Sequence, residues 1–280
     1  MAPHIFFEFV KFSHTLFALP FALGAFWAYK IGNVDYVLLG KIIGEMFFAR
    51  TSGMAMNRIL DRHFDSKNPR TMGRPLPSGR ITIQMAWFIN ISSAVCFAVL
   101  ASTINTFCFW GSFPALLVLW GYSSLKRFTR FCHLGIGFAL ALAPVGTAWA
   151  LGRYSEWSVY LLAAGVGFWV TGFDLIYSLL DVESDRKEGL HSLPADTGIP
   201  ATLRAAFYLH IAALAIISIW GFSLKLRSSF FVLLLIFGMA MLKQHSVGKK
   251  ADPVRINSNF FTLNAAFGLG FLAATIIAIG

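Results

Sequence analysis

Charge is scarce in this chain: Asp, Glu, Lys and Arg make up 13% of its 280 residues, about half the share found in soluble domains. So little charge cannot clothe a water-facing surface of this size, which excludes a soluble globular protein. Cysteine is equally sparse. Cys96, Cys108 and Cys132 stand in or beside apolar segments at no metal-ligand spacing and read as small buried hydrophobes, silent about redox compartment. The 7 histidines are scattered and form no H-x-x-x-H pair, so a zinc or haem site is not expected. Short alternating apolar segments are missing too, which argues against a transmembrane barrel.

What is present is apolar. Hydrophobic residues reach 57% and the mean hydropathy is +0.66. Nine apolar segments recur, roughly 12–29, 36–57, 84–103, 105–122, 132–151, 157–180, 203–223, 229–243 and 258–279. Most reach the ~20 residues that a bilayer core demands, and the eighth is short. The expectation is an all-α, polytopic membrane protein of nine transmembrane helices, with residues 1–280 as one domain, since no stretch is left for a soluble one.

The net charge of +10 would suggest nucleic acid in a soluble protein. Here the bases fall in short loops, as membrane topology requires, so nucleic acid is not expected as a partner, nor is an obligate protein partner. The loops after even-numbered segments hold Arg62, Lys67, Arg70, Arg74, Arg80, Lys126, Arg127, Arg130, Arg186, Lys187, Arg204, Lys243, Lys249, Lys250 and Arg255; the opposite face holds Lys30, Lys41, Arg153, Lys225 and Arg227. This asymmetry places the amino terminus and the even loops in the cytoplasm and the carboxyl terminus outside. MAPHIFFEFVKF lacks a credible cleavage site, so the first segment reads as an uncleaved signal-anchor.

The few acids are not scattered. The stretch RTSGMAMNRILDRHFDSKNPRTMGRPLPSGR places Asn57, Asp61 and Asp65 four residues apart at the end of an apolar segment. Residues so spaced share a helix face. Asn68-Pro69, Gly73, Pro75 and Ser78-Gly79 then predict that the helix stops near Ser66. FDLIYSLLDVESD closes a second apolar segment with Asp174, Tyr177, Asp181 and Asp185, and Gly189, Pro194, Gly198 and Pro200 break the loop behind it. One offset of 120 residues carries Asn57, Asp61 and Asp65 onto Tyr177, Asp181 and Asp185, a hint of internal duplication.

Acids at the end of an apolar helix are expensive unless a cation sits against them. Mg²⁺ takes oxygen ligands, commonly one or two carboxylates plus substrate phosphate. Arg70, Arg74, Lys126 and Arg127 follow the two sets or stand in the loop between them and suit phosphate. Acids for a divalent metal with bases for phosphate predict a diphosphate site, and both sets end on one side of the membrane, as a shared site requires. The chemistry favoured is departure of diphosphate. Loss of diphosphate from an allylic carbon leaves a cation that aromatic faces can hold. The chain offers 29 Phe, most of which serve lipid contact or packing, whereas Tyr177 lies one turn before Asp181. Arg50 lies two turns before Asn57 on the same face. It reads either as an ion-pair partner of Asp174 or as a hook, with Asn57, for the carboxylate of an aromatic acid. A cation-coupled transporter using the same acids is the rival from another class. It would not need the RTMGRP loop, and its acids would gather near the midplane.

These residues resemble a known family. NRILDRHFD with RTMGRPLPSGRIT, YSSLKRFT, and DLIYSLLDVESDRKEG are similar to the signatures of the UbiA superfamily of intramembrane aromatic prenyltransferases, nearest its 4-hydroxybenzoate polyprenyltransferases of ubiquinone biosynthesis. The resemblance implies nine helices ringed around a cavity open to the bilayer, with a cytoplasmic cap, in the bacterial cytoplasmic (inner) membrane. It implies Mg²⁺ as cofactor, held with diphosphate by Asn57, Asp61, Asp65, Asp181 and Asp185, and supported by Asp174. It implies diphosphate contacts from Arg70, Arg74 and Lys126, and an acceptor contact from Arg50. The partners implied are a polyprenyl diphosphate, a hydroxylated aromatic acid and the lipid bilayer. Two departures stand out: Arg58 follows Asn57 where the family often has an Asp, and GLHSLPA puts His191 at a usual lysine position. These are similar to the branch that prenylates a dihydroxynaphthoate for menaquinone, so both acceptors stay open.

Overall fold

The computed structural model describes residues 2–11, 17–249 and 253–279. The opening residues 12–16 of the first expected segment and Lys250 of the last basic loop lie outside the described residues, as do the side chains of Lys249 and Arg255. The described residues contain helices and no strand. In chain order the helices are α1 (Pro3–Phe9), α2 (Leu19–Tyr29), α3 (Tyr36–Lys67), α4 (Ile83–Ser102), α5 (Thr106–Gly121), α6 (Cys132–Ala150), α7 (Ser158–Tyr177), α8 (Val182–Lys187), α9 (Leu193–Thr197), α10 (Ile199–Ser223), α11 (Ser228–Lys249) and α12 (Pro253–Ile279), with 3₁₀ turns at Tyr122–Arg127 and Ser178–Asp181.

Among the described residues, six helical runs are long and apolar enough to cross a membrane: Ile83–Ser102, Cys132–Ala150, Ser158–Lys187, Ile199–Ser223, Ser228–Ser246 and Ser258–Ile279. The other three expected segments are helical over α2, α3 and α5. α2 has 11 residues, α5 has 16, and the 32 of α3 run past its apolar part through the charged motif. α11 runs longer than the 229–243 read from the sequence, because the polar KQHSVGK tail continues the helix. α10 starts at Ile199, since Pro200 in its first turn is compatible with a helix start rather than a stop. The cysteines are not core residues: Cys96 is exposed and Cys108 and Cys132 are half-buried. A thiol facing lipid is tolerated because it behaves as a small apolar group.

The chain divides into two compact units, residues 1–15 with 35–124, and residues 16–34 with 125–280. In the first, α3 runs beside α4 and α5. Asn90 donates to the Ser52 carbonyl at 2.8 Å and Trp120 Nε1 to Ser52 Oγ at 2.9 Å, satisfying polar groups that lipid cannot. The short α1 lays Phe9 and Val10 into a cluster with Ala55, Ile59, Leu76, Ile81, Ala86 and Ile89. Arg80 ties that helix to the motif loop, donating to both Glu8 carboxylate oxygens at 2.7 Å and to the Gly73 carbonyl at 2.6 Å. The Arg80 hydrogen bond also holds the Glu8 carboxyl below its ordinary range.

The second unit is built on aromatic rings. Phe21 stacks on Phe271 at 4.7 Å and touches Trp169 at 5.0 Å; such pairs are worth about 0.5–1.5 kcal/mol beyond burial. Trp220 Nε1 donates to Tyr29 Oη at 2.8 Å, which pairs with Ser158 at 2.9 Å, joining α2, α7 and α10. α6 and α7 approach closely where Gly137 faces Gly167: a Cβ on Gly137 would sit 2.6 Å from the Gly167 carbonyl oxygen. Small residues permit this because bilayer helices associate through packing.

Candidate active site

The first acidic set stands on one uninterrupted α-helix. Asp35 caps it, accepting from the Val37 and Leu38 amides at 2.9 Å, and at 1.5 Å per residue α3 extends about 48 Å. It ends where Asn68 precedes Pro69, since proline disfavours helical backbone in the residue before it. The loop then folds back. Asn68 Oδ1 accepts the Arg70 amide at 2.9 Å, and Thr71 donates to the Asp65 carbonyl at 3.0 Å. This return brings the Arg74 guanidinium onto both Asp65 oxygens, at 2.7 and 2.8 Å.

Asp61 and Asp65 are buried, at 6% and 7% exposure. Asn57 donates to Asp61 Oδ2 and to Ser123 Oγ, both at 3.0 Å, and its side-chain Oδ1 accepts from Arg58 at 3.1 Å. The expected alignment of Asn57 and Asp61 on one face is therefore present. Arg70 is exposed and Arg74 half-buried. Arg50, half-buried, donates from one terminal nitrogen to the Lys11 carbonyl at 3.2 Å, and its buried Nε has no hydrogen-bond partner among the described residues.

The second set is held differently. α7 ends at Tyr177 and the chain passes through the 3₁₀ turn before α8 resumes. Four residues advance about 40° net on an α-helix but about 120° on a 3₁₀ helix. The single column expected of Asp174, Tyr177, Asp181 and Asp185 is thus twisted within the 3₁₀ turn. Asp174 accepts from His133 Nδ1 at 2.7 Å. Lys126 Nζ stands 4.0 Å from Asp185, which is buried at 6% exposure. Main-chain bonds fix this approach: the Leu190 amide donates to the Asp185 carbonyl at 2.8 Å and the His191 amide to the Lys126 carbonyl at 2.7 Å. Arg127 and Asp181 are half-buried. Tyr177 is half-buried too, its ring 4.0 Å from that of Phe260, beside a cleft lined by Phe173, Gln244, Ile256 and Asn259. The His191 side chain is exposed, 3.4 Å from Asp196.

Sequence reasoning missed Ser123 and His133. Neither carries a spacing signal: His133 is 41 residues from Asp174 and Asn57 is 66 from Ser123.

The family model described as the UbiA prenyltransferase family matches residues 18–268. A 4-hydroxybenzoate octaprenyltransferase from Psychromonas ingrahamii is 29% identical over 266 residues, covering 92% of each chain. One of the same name from Herminiimonas arsenicoxydans is 30% identical over 210 residues, covering 74% of this chain and 73% of its own. Among solved structures, a UbiA homologue from Aeropyrum pernix aligns with a TM-score of 0.83 and 29% identity, over 94% of this chain and 97% of its own. A UbiA homologue from Archaeoglobus fulgidus, bound to GPP and Mg²⁺, shares the fold at a TM-score of 0.72 and 19% identity, over 98% of this chain and 99% of its own.

This chain belongs to the UbiA prenyltransferase family. It is an enzyme, a prenyltransferase, and an integral membrane protein.

Proposed function

We propose that the enzyme transfers a polyprenyl group from its diphosphate to a hydroxylated aromatic acid, with Mg²⁺ as cofactor. The supporting observation is that both acidic sets end against a cation, Asp65 against Arg74 at 2.7 Å and Asp185 with Lys126 at 4.0 Å. Acids so paired with bases, in each set by itself, suit a ligand that is itself metal plus phosphate. The donors expected for the metal are carboxylate and amide oxygens, the ligands Mg²⁺ prefers.

Asn57, Asp61, Asp65, Asp181 and Asp185 would hold Mg²⁺, whose chemistry is Lewis-acid stabilisation of the departing diphosphate. Arg70, Arg74, Lys126 and Arg127 take the remaining phosphate charge, the arginines as planar forks and the lysine as a point charge. As the allylic C–O bond breaks, its electron pair leaves with diphosphate. The ring carbon beside the acceptor hydroxyl attacks the allylic cation and then loses its proton. Tyr177 and the neighbouring Phe173 and Phe260 present aromatic faces suited to such a cation. Arg50 takes the acceptor carboxylate beside Asn57: its buried Nε has a proton to donate and no acceptor among the described residues. Asp174 supports the second set. Family membership displaces the transporter reading.

The proposal extends to one domain over residues 1–280, with nine spans around a central cavity and a cytoplasmic cap formed by the motif loops. The loop charges support a cytoplasmic amino terminus and an external carboxyl terminus in a bacterial inner membrane. The names of the similar enzymes favour 4-hydroxybenzoate and ubiquinone biosynthesis; Arg58 and His191 keep a dihydroxynaphthoate as the second acceptor to test. Membranes containing the enzyme are incubated with labelled polyprenyl diphosphate, Mg²⁺ and each acid in turn. The expected result is Mg²⁺-dependent prenylation of one acid. No labelled product with either would defeat the proposal.

A further inference from the structure

His133 has no part in the chemistry above. It is buried at the start of α6, with 6% exposure, and its ring occupies one oxygen of Asp174 at 2.7 Å. Its other ring nitrogen, Nε2, is buried and has no hydrogen-bond partner among the described residues. A carboxylate cannot donate, so Nδ1 carries the proton toward Asp174. The depth of the imidazole is constrained independently of that bond. Thr171 donates to the His133 carbonyl at 3.4 Å and to the Gly167 carbonyl at 2.8 Å. Close by, Gly137 brings α6 so near α7 that a Cβ there would come 2.6 Å from the Gly167 carbonyl oxygen.

Asp174 sits where position matters. It lies in the last turn of α7, and its backbone carbonyl accepts the Ser178 amide that opens the 3₁₀ turn leading to Asp181. Fixing the Asp174 side chain therefore fixes the point at which the α-helix gives way to the acidic turn. With one oxygen held by His133, the carboxylate is still 23% exposed, so its other oxygen can serve the site.

We propose that His133 is a positioning residue: its Nδ1–H locks Asp174, and through it the 178–187 segment that carries Asp181 and Asp185. The role rests on the prenyl-transfer reading for its consequence in turnover, but not for its consequence in local structure.

Three variants separate the possibilities. His133→Leu removes the donor. His133→Asn restores an N–H close to the Nδ1 position and controls for folding. Asp174→Asn removes the charge that His133 meets. In purified enzyme with labelled polyprenyl diphosphate and acceptor, His133→Leu should lower kcat about 30-fold, as befits one lost charge-assisted bond, with KM changed less than about threefold. His133→Asn should recover most of that rate. His133→Leu with Asp174→Asn should be no slower than Asp174→Asn alone, because a residue acting through another adds nothing once the other is gone. Hydrogen exchange over 178–187 should quicken in His133→Leu and not in His133→Asn. Multiplying losses in the double variant, or unchanged exchange in His133→Leu, would overturn the proposal. If the unsubstituted enzyme makes no prenylated product, the prenyl-transfer reading fails and the exchange measurement alone decides the positioning role.

Discussion

Asn57, Asp61 and Asp65 and their counterparts Tyr177, Asp181 and Asp185 share one sequence spacing, yet the two sets are held by different means. Apart from the Ser123 hydroxyl on Asn57, the first set is locally made. α3 carries its own arginines, Arg50, Arg58 and Arg62, and its acids are bound by Asn57 one turn back and by Arg74 nine residues on. The second set borrows. Ser158–Tyr177 contains no lysine or arginine, so Asp174 takes His133 from α6 and Asp185 faces Lys126 from the preceding loop. The backbones differ as well, one a continuous helix and the other interrupted by a 3₁₀ turn. Equal spacing in a sequence therefore does not guarantee an equal site. A local set tolerates movement of its neighbours, whereas a borrowed one is only as firm as the helix contact that supplies its partner.

The comparison breaks outright if one set is dispensable. Asp61→Ala and Asp181→Ala should each cut turnover by about 10³-fold or more, a loss on the scale of a main electrostatic contribution to the transition state, while the protein still accumulates in membranes. Product formation at saturating Mg²⁺ measures this; near-normal turnover in either variant would show that only the other set does the chemistry. Next in size, Arg74→Ala should destabilise the fold by about 2–3 kcal/mol, since it strips a buried carboxylate of the nitrogen that bridges its two oxygens, with some relief because Arg74 is partly exposed. Lys126→Ala, with its partner at 4.0 Å, should cost less than about 1 kcal/mol. Thermal unfolding in detergent ranks the two, and the reverse order would contradict the contrast between local and borrowed. The smallest effect on turnover is expected for Arg50→Ala. It should raise the KM for the aromatic acid about 10–100-fold, the worth of a charged hydrogen-bond pair, with little change in that for polyprenyl diphosphate. Equal rises in both would remove the carboxylate role.

Much of the first set was legible in sequence, because the bonds to Asp61 from Asn57 and to Asp65 from Arg74 run between residues four and nine apart, and only the Ser123 contact of Asn57 was hidden by distance in the chain. The helix stop at Asn68-Pro69 and the Asn57–Asp61 alignment follow from backbone rules. The second set was legible as a list of residues but not as a shape. Nothing in FDLIYSLLDVESD announces a 3₁₀ turn, and seven scattered histidines do not single out the one that matters.

Composition and the length of the apolar runs determined by themselves that this chain is helical and lies in a membrane, since a backbone stripped of water must satisfy its polar groups within each segment. The spacing of the acids nominated the site and its chemistry for the same local reason. Only the tertiary structure decided which cation or imidazole meets each acid, because a hydrogen bond acts over about 3 Å, and His133 comes within that distance of Asp174 only when α6 and α7 close on their facing glycines.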